Sequence, residues 1–207
     1  MENSYITVSD ESSFELVEKK SKFIGYIKHV KSEKDAVDFI TTIKTKHWDA
    51  RHNVYAYILK DNNISRYSDD GEPHGTAGVP VLDILKKNNL QNIVVVVTRY
   101  FGGILLGTGG LVRAYSKAAA GAINSSEIIK MSMCCSCELV CDYNQYQKIS
   151  NIINECTGII DETIFAQEIK LCFHIKKENT KNLSKKLLEI SSGTLNYKIK
   201  NENFYKI

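Results

Sequence analysis

"NIVVVVTRYFGGILLGTGGLVRAYSKAAAGAIN", residues 92–124, decides the fold, because it joins a strand, a glycine-rich turn and a helix without a linker. Ile93–Val97 is a run of β-branched residues with no polar alternation, which fits a central strand buried on both faces. The strand ends at "TRYFGG". Five glycines then fall within nine residues, Gly102, Gly103, Gly107, Gly109 and Gly110, before an alanine-rich helix. That arrangement brings free backbone amides to a helix N-terminus.

Upstream, "SDDGEPHGTAGVP" (68–80) holds both prolines and a cluster of Asp69, Asp70, Glu72 and His74. Pro80 suits the first turn of a helix over "GVPVLDILKKNN", with Val81, Leu82 and Leu85 facing a core. Further back, "SSFELVEKKSKFIGYIKHV" reads as two strands around a charged turn. A helix follows from Ser32, whose pairing with Asp35 has the spacing of a capping box. "NVYAYILK" and "ISRYS" read as neighbouring strands across the polar "DNN" turn. From about residue 133 the pattern restarts as strand "CCSCELVC", helix "YNQYQKISNIINEC", strands "GIIDETIF" and "EIKLCFHIK", helix "ENTKNLSKKLLEI" and strand "TLNYKIKNENFYKI". This βαββαβ order is the signature of a ferredoxin-like domain. The expected organisation is therefore α+β in two domains, 1–131 and 132–207.

Composition excludes several classes. The 207 residues are 43% hydrophobic and 25% charged, ordinary for a folded soluble chain. No apolar run reaches the ~18–20 residues of a membrane span, and the start of the chain is polar, so no membrane association and a cytoplasmic location are expected. The net charge of +3 is too small to announce a nucleic-acid binder, although a neutral average can hide a one-sided patch. The six cysteines read as reduced thiols. Cys134 and Cys137 have C-x-x-C spacing, but Cys135, Cys137, Leu139 and Cys141 share one face of a predicted strand, where a zinc knuckle would need a turn.

Against 23 lysines the chain has four arginines, Arg51, Arg66, Arg99 and Arg113, all between residues 50 and 115. Arginine at those places points to use of its planar, bidentate fork. The acidic loop breaks the alternating spacing of a calcium loop and has no H-E-x-x-H partner, so no metal is assigned. Asp69, Asp70, Gly71, Glu72 and Pro73 are assigned to loop organisation, with a carboxylate receiving Arg66, Arg99 or Arg113 and Asp70-Gly71 forming a tight turn. The glycine segment admits two readings. In one, phosphate approaches the bare backbone and the helix dipole; in the other, the glycines permit positive φ or close packing. It lacks the G-x-x-x-x-G-K-[ST] pattern, and neither a nucleophile elbow nor an identifiable base is present, so no catalytic residue and no cofactor are assigned. His47, Trp48, Arg51 and His52 form a small cluster that either lines the same groove or packs as a rim.

Together "SDDGEPHGTAGVPVLDIL" and "VVVVTRYFGGILLGTGGLVRAYSKA", preceded by "KSKFIGY" and "HNVYAY", resemble the IMPACT family and its bacterial, YigZ-like branch. The resemblance covers roughly the first 125 residues. It implies a first domain similar to the left-handed βαβ fold shared by GHMP kinases, a small-subunit ribosomal protein and domain IV of elongation factor G. The second domain would be similar to the last domain of that factor. Bacterial members have no settled reaction. Eukaryotic members are linked to translational control through the general-control stress kinase pathway, partly by an N-terminal RWD domain with no counterpart here, so that kinase-pathway partner is not carried over. The function expected is a translation-linked regulatory or stress-response protein that binds RNA or the ribosome, or a protein partner in translational control. Arg66, Arg99, Tyr100, Phe101, Gly102, Gly103, Gly107, Gly109, Gly110 and Arg113 form the expected phosphate-binding surface, with Tyr55, Tyr57 and Tyr67 as neighbouring aromatics. The alternatives are a GHMP-kinase-like phosphate- or nucleotide-handling enzyme, a metal-dependent hydrolase using the acidic loop, and a protein-binding module.

Overall fold

The structure, a computed structural model, describes residues 3–191 and 195–206. Met1, Glu2, Thr194 and Ile207, which belong to stretches read above, lie outside the described residues. The chain forms two compact units, one of Tyr5–Lys130 and one of Met1–Ser4 with Met131–Ile207.

The first unit contains β1 (Ser4–Val8), β2 (Ser12–Glu18), β3 (Ser21–His29), α1 (Glu33–Lys46), β4 (His52–Leu59), β5 (Ile64–Ser68), α2 (Gly78–Lys87), β6 (Ile93–Tyr100) and α3 (Thr108–Asn124). Its sheet runs β2-β3-β6-β4-β5, antiparallel throughout. β6 is central, and Ile93 to Arg99 are all buried. Successive side chains of a strand point to opposite faces, and the valine run uses both. Val94 and Val96 pack with Ala36, Phe39, Ile40 and Ile43 of α1. Ile93, Val95 and Val97 pack with Val81, Leu82 and Leu85 of α2 and with the Leu111, Ala114, Tyr115 and Ala118 face of α3. β3 and β4 flank β6 and so run parallel to each other, with α1 as their crossover.

Local chemistry sets the boundaries. Ser32 and Asp35 form a reciprocal capping box at the start of α1, the Asp35 N–H donating to Ser32 Oγ at 3.1 Å and the Ser32 N–H to Asp35 Oδ2 at 3.0 Å. β1 was not expected from the sequence. It is held by its backbone, with the Gln91 N–H donating to the Ile6 carbonyl at 2.9 Å.

The second unit continues with β7 (Ile128–Cys141), α4 (Tyr143–Glu155), β8 (Ile159–Phe165), β9 (Ile169–Lys176), α5 (Thr180–Ile190) and β10 (Lys198–Lys206). Its strands form an antiparallel β10-β7-β9-β8 ladder, in a five-stranded sheet in which β1 also pairs with β7. Cys135, Cys137, Leu139 and Cys141 of β7 share the core with Ile149, Ile153, Leu183 and Leu187 of the two helices. All six cysteines are free thiols. Burial pushes the Cys137 thiol up to about 12 and raises those of Cys134, Cys135, Cys141 and Cys156. Among the described residues no helix is long and apolar enough to cross a membrane, and no group of His, Cys, Asp or Glu is arranged to hold a metal ion.

Candidate functional site

The carboxylates of the loop between β5 and α2 each have a separate structural task. Asp69 accepts backbone N–H groups from Gly75 at 2.9 Å, Ala77 at 3.1 Å and Gly78 at 2.8 Å. It thus serves the N-terminus of α2, whose own N-cap, Ala77, has no side-chain acceptor. Asp70, at φ 47°, accepts from the Asn53 N–H at 2.7 Å and the Lys44 ammonium at 2.6 Å. Its carbonyl accepts from His52 Nδ1 at 2.8 Å, which assigns the ring proton to that nitrogen. Gly71 follows at φ 87°, completing the turn. His74 is at the surface, 3.8 Å from Asp69.

Glu72 is different because it points inward. Its side chain is 3% exposed, and Oε1 accepts from Arg99 Nη1 at 2.5 Å and from the Tyr115 hydroxyl at 2.7 Å. His52 Nε2 lies 3.8 Å from the same oxygen. Burial, and then the adjoining Glu72 charge, push the Tyr115 hydroxyl far above the usual phenol range. The Arg99 guanidinium is sandwiched between Phe23 and Phe101, 5.4 and 5.6 Å from their ring centres. Its Nε–H is buried without a partner. This cluster forms one wall of a cavity of about 670 Å³, whose lining includes Arg51, Pro73, Phe101, Leu105, Leu106 and the start of α3.

The glycine-rich segment forms the other wall. Gly102 lies against the turn between β2 and β3, where an added methyl would run into the Lys20 carbonyl, and its N–H donates to Ser21 Oγ at 3.2 Å. Gly107 is the N-cap of α3 at φ +71°, a backbone that L side chains rarely adopt, and it has no side chain to cap the helix. The first intrahelical bond runs from the Leu111 N–H to the Gly107 carbonyl. The amides of Thr108, Gly109 and Gly110 are therefore left without a helical partner at the positive end of the dipole. Leu106 also lines a second hollow, of about 210 Å³, together with Glu18, Lys19, Gly110, Arg113, Ala114 and Lys117.

Residues 19–123 match the Impact N-terminal domain, and residues 139–194 a domain of unknown function, DUF1949. The Bacillus subtilis IMPACT family member YvyE is 38% identical to this chain over 194 residues, covering 93% of the chain and 89% of that protein. This chain belongs to the IMPACT family. The Escherichia coli family member YigZ is 34% identical over 180 residues, 86% of this chain and 88% of that protein. A crystal structure titled as a hypothetical protein superposes with a TM-score of 0.64 at 31% identity, covering 98% of this chain and 100% of the other.

The IMPACT motifs quoted from the sequence meet around the two hollows, but not every residue plays the part expected. Arg99 was read as a phosphate contact with outward edges; it is 5% exposed, and Glu72 takes its Nη1. Tyr57 was read as a surface aromatic; it is buried, donates to Glu33 at 2.6 Å, and is pushed up to about 12 by burial and then by that carboxylate. Tyr100 is half-buried in a chain of hydrogen bonds with His47 at 2.8 Å and Asp49 at 3.1 Å. Arg66 is exposed on β5 and lines neither hollow, whereas Arg113, Phe101, Gly103 and Gly109 are exposed around the loop. Arg51 and His52 line the larger cavity, while His47 packs between Tyr26 and Tyr100. Sequence reasoning passed over Tyr115, Lys19 and Lys117. Lys117 had a signal, since it stands four residues after Arg113 on the same helix face. Lys19 had none, because the packing of β2 and β3 on α3 that brings their turn to the helix joins residues far apart in the chain.

Proposed function

We propose that this protein is a cytoplasmic, translation-linked regulatory protein, serving translation or its stress response, that binds RNA or the ribosome through the glycine-rich surface of residues 101–110. The observation that carries the reading is the convergence of Lys19, Arg113 and Lys117 on the hollow beside Gly110, with Glu18 the opposing carboxylate. Three flexible cations around bare backbone suit a phosphate chain, and exposed Phe101 offers a face for a base. Arg66 adds a further exposed cation, and Arg99 acts through the ring it supports. The β10-β7-β9-β8 order supports reading the second unit as ferredoxin-like, similar to the last domain of elongation factor G. The β3-α1-β4 crossover supports reading the first as the left-handed βαβ domain of GHMP kinases and a ribosomal protein.

Co-sedimentation with RNA and with ribosomes across a salt series tests the proposal. Binding is expected to weaken with salt, and Arg113→Ala and Lys117→Ala each to reduce the slope of log K against log salt by about 1. No binding at low salt, or slopes unchanged in both variants, would overturn it.

A further inference from the structure

Leu106 lines both the larger cavity and the basic hollow, and the RNA reading leaves the Arg51, His52 and Glu72 side of the larger cavity unused. Its lining is divided by chemistry. Its polar lining includes the Arg51 side chain and the start of α3, Gly107 and Thr108, where the Thr108 amide lacks a helical acceptor. Against this, Phe101, Leu105, Leu106, Leu111 and Pro73 present an apolar surface, with Leu105 83% exposed and Phe101 48% exposed. Along the wall run Arg99, whose buried Nε–H has no partner, and Glu72, whose Oε2 receives no hydrogen bond among the described residues.

Each part narrows the occupant. A helix N-terminus beside a guanidinium favours an anion. The Arg51 fork beside the Thr108 amide, at the positive end of the α3 dipole, suits the terminal oxygens of a phosphate. Glu72 neutralises Arg99, so the pair contributes little net charge and the excess cation is Arg51. The apolar end faces solvent, and the Phe101 ring is fixed by the guanidinium beneath it, so its outer face is available to a flat group. Glu72 Oε2 offers an acceptor for an N–H or O–H on that group. The volume is that of a small-molecule site, within the usual range of about 300–1,000 Å³.

We propose that this cavity binds a small aromatic phosphate, the chemical class of a nucleoside monophosphate, with its phosphate at the start of α3 and its ring against Phe101. Phe101 is shared with the RNA reading, so the two are told apart by Arg51, which only this cavity uses, and by Lys117, which only the basic hollow uses.

Thermal unfolding and isothermal titration of the full chain with phenyl phosphate, uridine 5′-monophosphate, inorganic phosphate and benzyl alcohol provide the test. Saturable stabilisation by the first two is expected, with inorganic phosphate and benzyl alcohol each binding at least about tenfold more weakly, because each supplies only half of the contacts. Arg51→Ala and Phe101→Ala, both at exposed positions, are each expected to raise Kd about tenfold or more, whereas Lys86→Ala, exposed on α2 and lining neither hollow, leaves it unchanged. A short RNA with a 5′-phosphate that binds with the same dependence on Arg51 supports the site and names an RNA end as the source. Binding confined to the free nucleotide supports it with a metabolite as the source. No stabilisation at millimolar phenyl phosphate and uridine 5′-monophosphate, or affinities the same in wild type, Arg51→Ala and Phe101→Ala, would overturn the proposal.

Discussion

Glu72 shows how a single residue ties the acidic loop to the sheet. Breaking a buried ion pair from one side strands the other charge, so Glu72→Gln is expected to lower stability by about 3–5 kcal/mol, read by urea unfolding. Tyr115→Phe removes one hydrogen bond to the same carboxylate and is expected to cost about 1–3 kcal/mol. His47 carries a pH dependence. Tyr100 donates to Asp49, so His47 Nδ1–H donates to the Tyr100 oxygen and Nε2 accepts from the Tyr26 hydroxyl at 2.7 Å, an arrangement that needs a neutral ring. Burial, with Lys46 adding repulsion, holds His47 below its ordinary value of 6.5. The unfolded chain then binds more protons than the folded one between the two values. Stability present above pH 6.5 is therefore lost as pH falls through the folded value. In Tyr26→Phe, which loses the bond favouring the neutral ring, the His47 resonance in an NMR titration is expected to move at higher pH. At this scale the sequence was half legible: Arg99 was among three named partners for the loop carboxylates. Which arginine is buried, and that Tyr115 shares its acceptor, depended on residues far apart in the chain that pack together only once the sheet forms.

The elements repeat this on a larger scale. Asp69 closes a ring of backbone from the end of β5 to the start of α2, so Asp69→Ala is expected to cost about 2 kcal/mol and to expose the Gly75, Ala77 and Gly78 amides to hydrogen exchange. Gly102 fixes the glycine segment to the β2–β3 turn. The overpacking in Gly102→Ala is expected to cost about 1–3 kcal/mol and to move Lys19 away from Arg113, weakening any salt-sensitive binding beyond the loss of stability. Element types were readable because their signals are local: the Ser32–Asp35 cap, the valine run and the alanine-rich helix. β1 was missed because "SYITV" is short, sits in a polar stretch, and is held by backbone pairing to segments eighty or more residues away.

For the whole chain, thiol accessibility gives a direct check. Cys134, Cys135, Cys137, Cys141 and Cys156 are buried, while Cys172 is half-exposed. Because the thiolate is the reactive form, native protein treated with iodoacetamide is expected to label at Cys172 first and at the other five only on unfolding; rapid labelling of several would contradict the β7 packing. The order of elements in the second unit was legible end to end, since alternating strand and helix patterns are local. The two hollows were not, because a cavity is the space left between elements and no segment encodes it alone. The placement of β6 carries one more consequence. On a strand with a wet face, tolerance to change rises and falls at every second position. From Ile93 to Val97 each side chain belongs to one packed interior or the other, so a saturation library over this segment should show no such rhythm. Polar replacements should be rejected at every position.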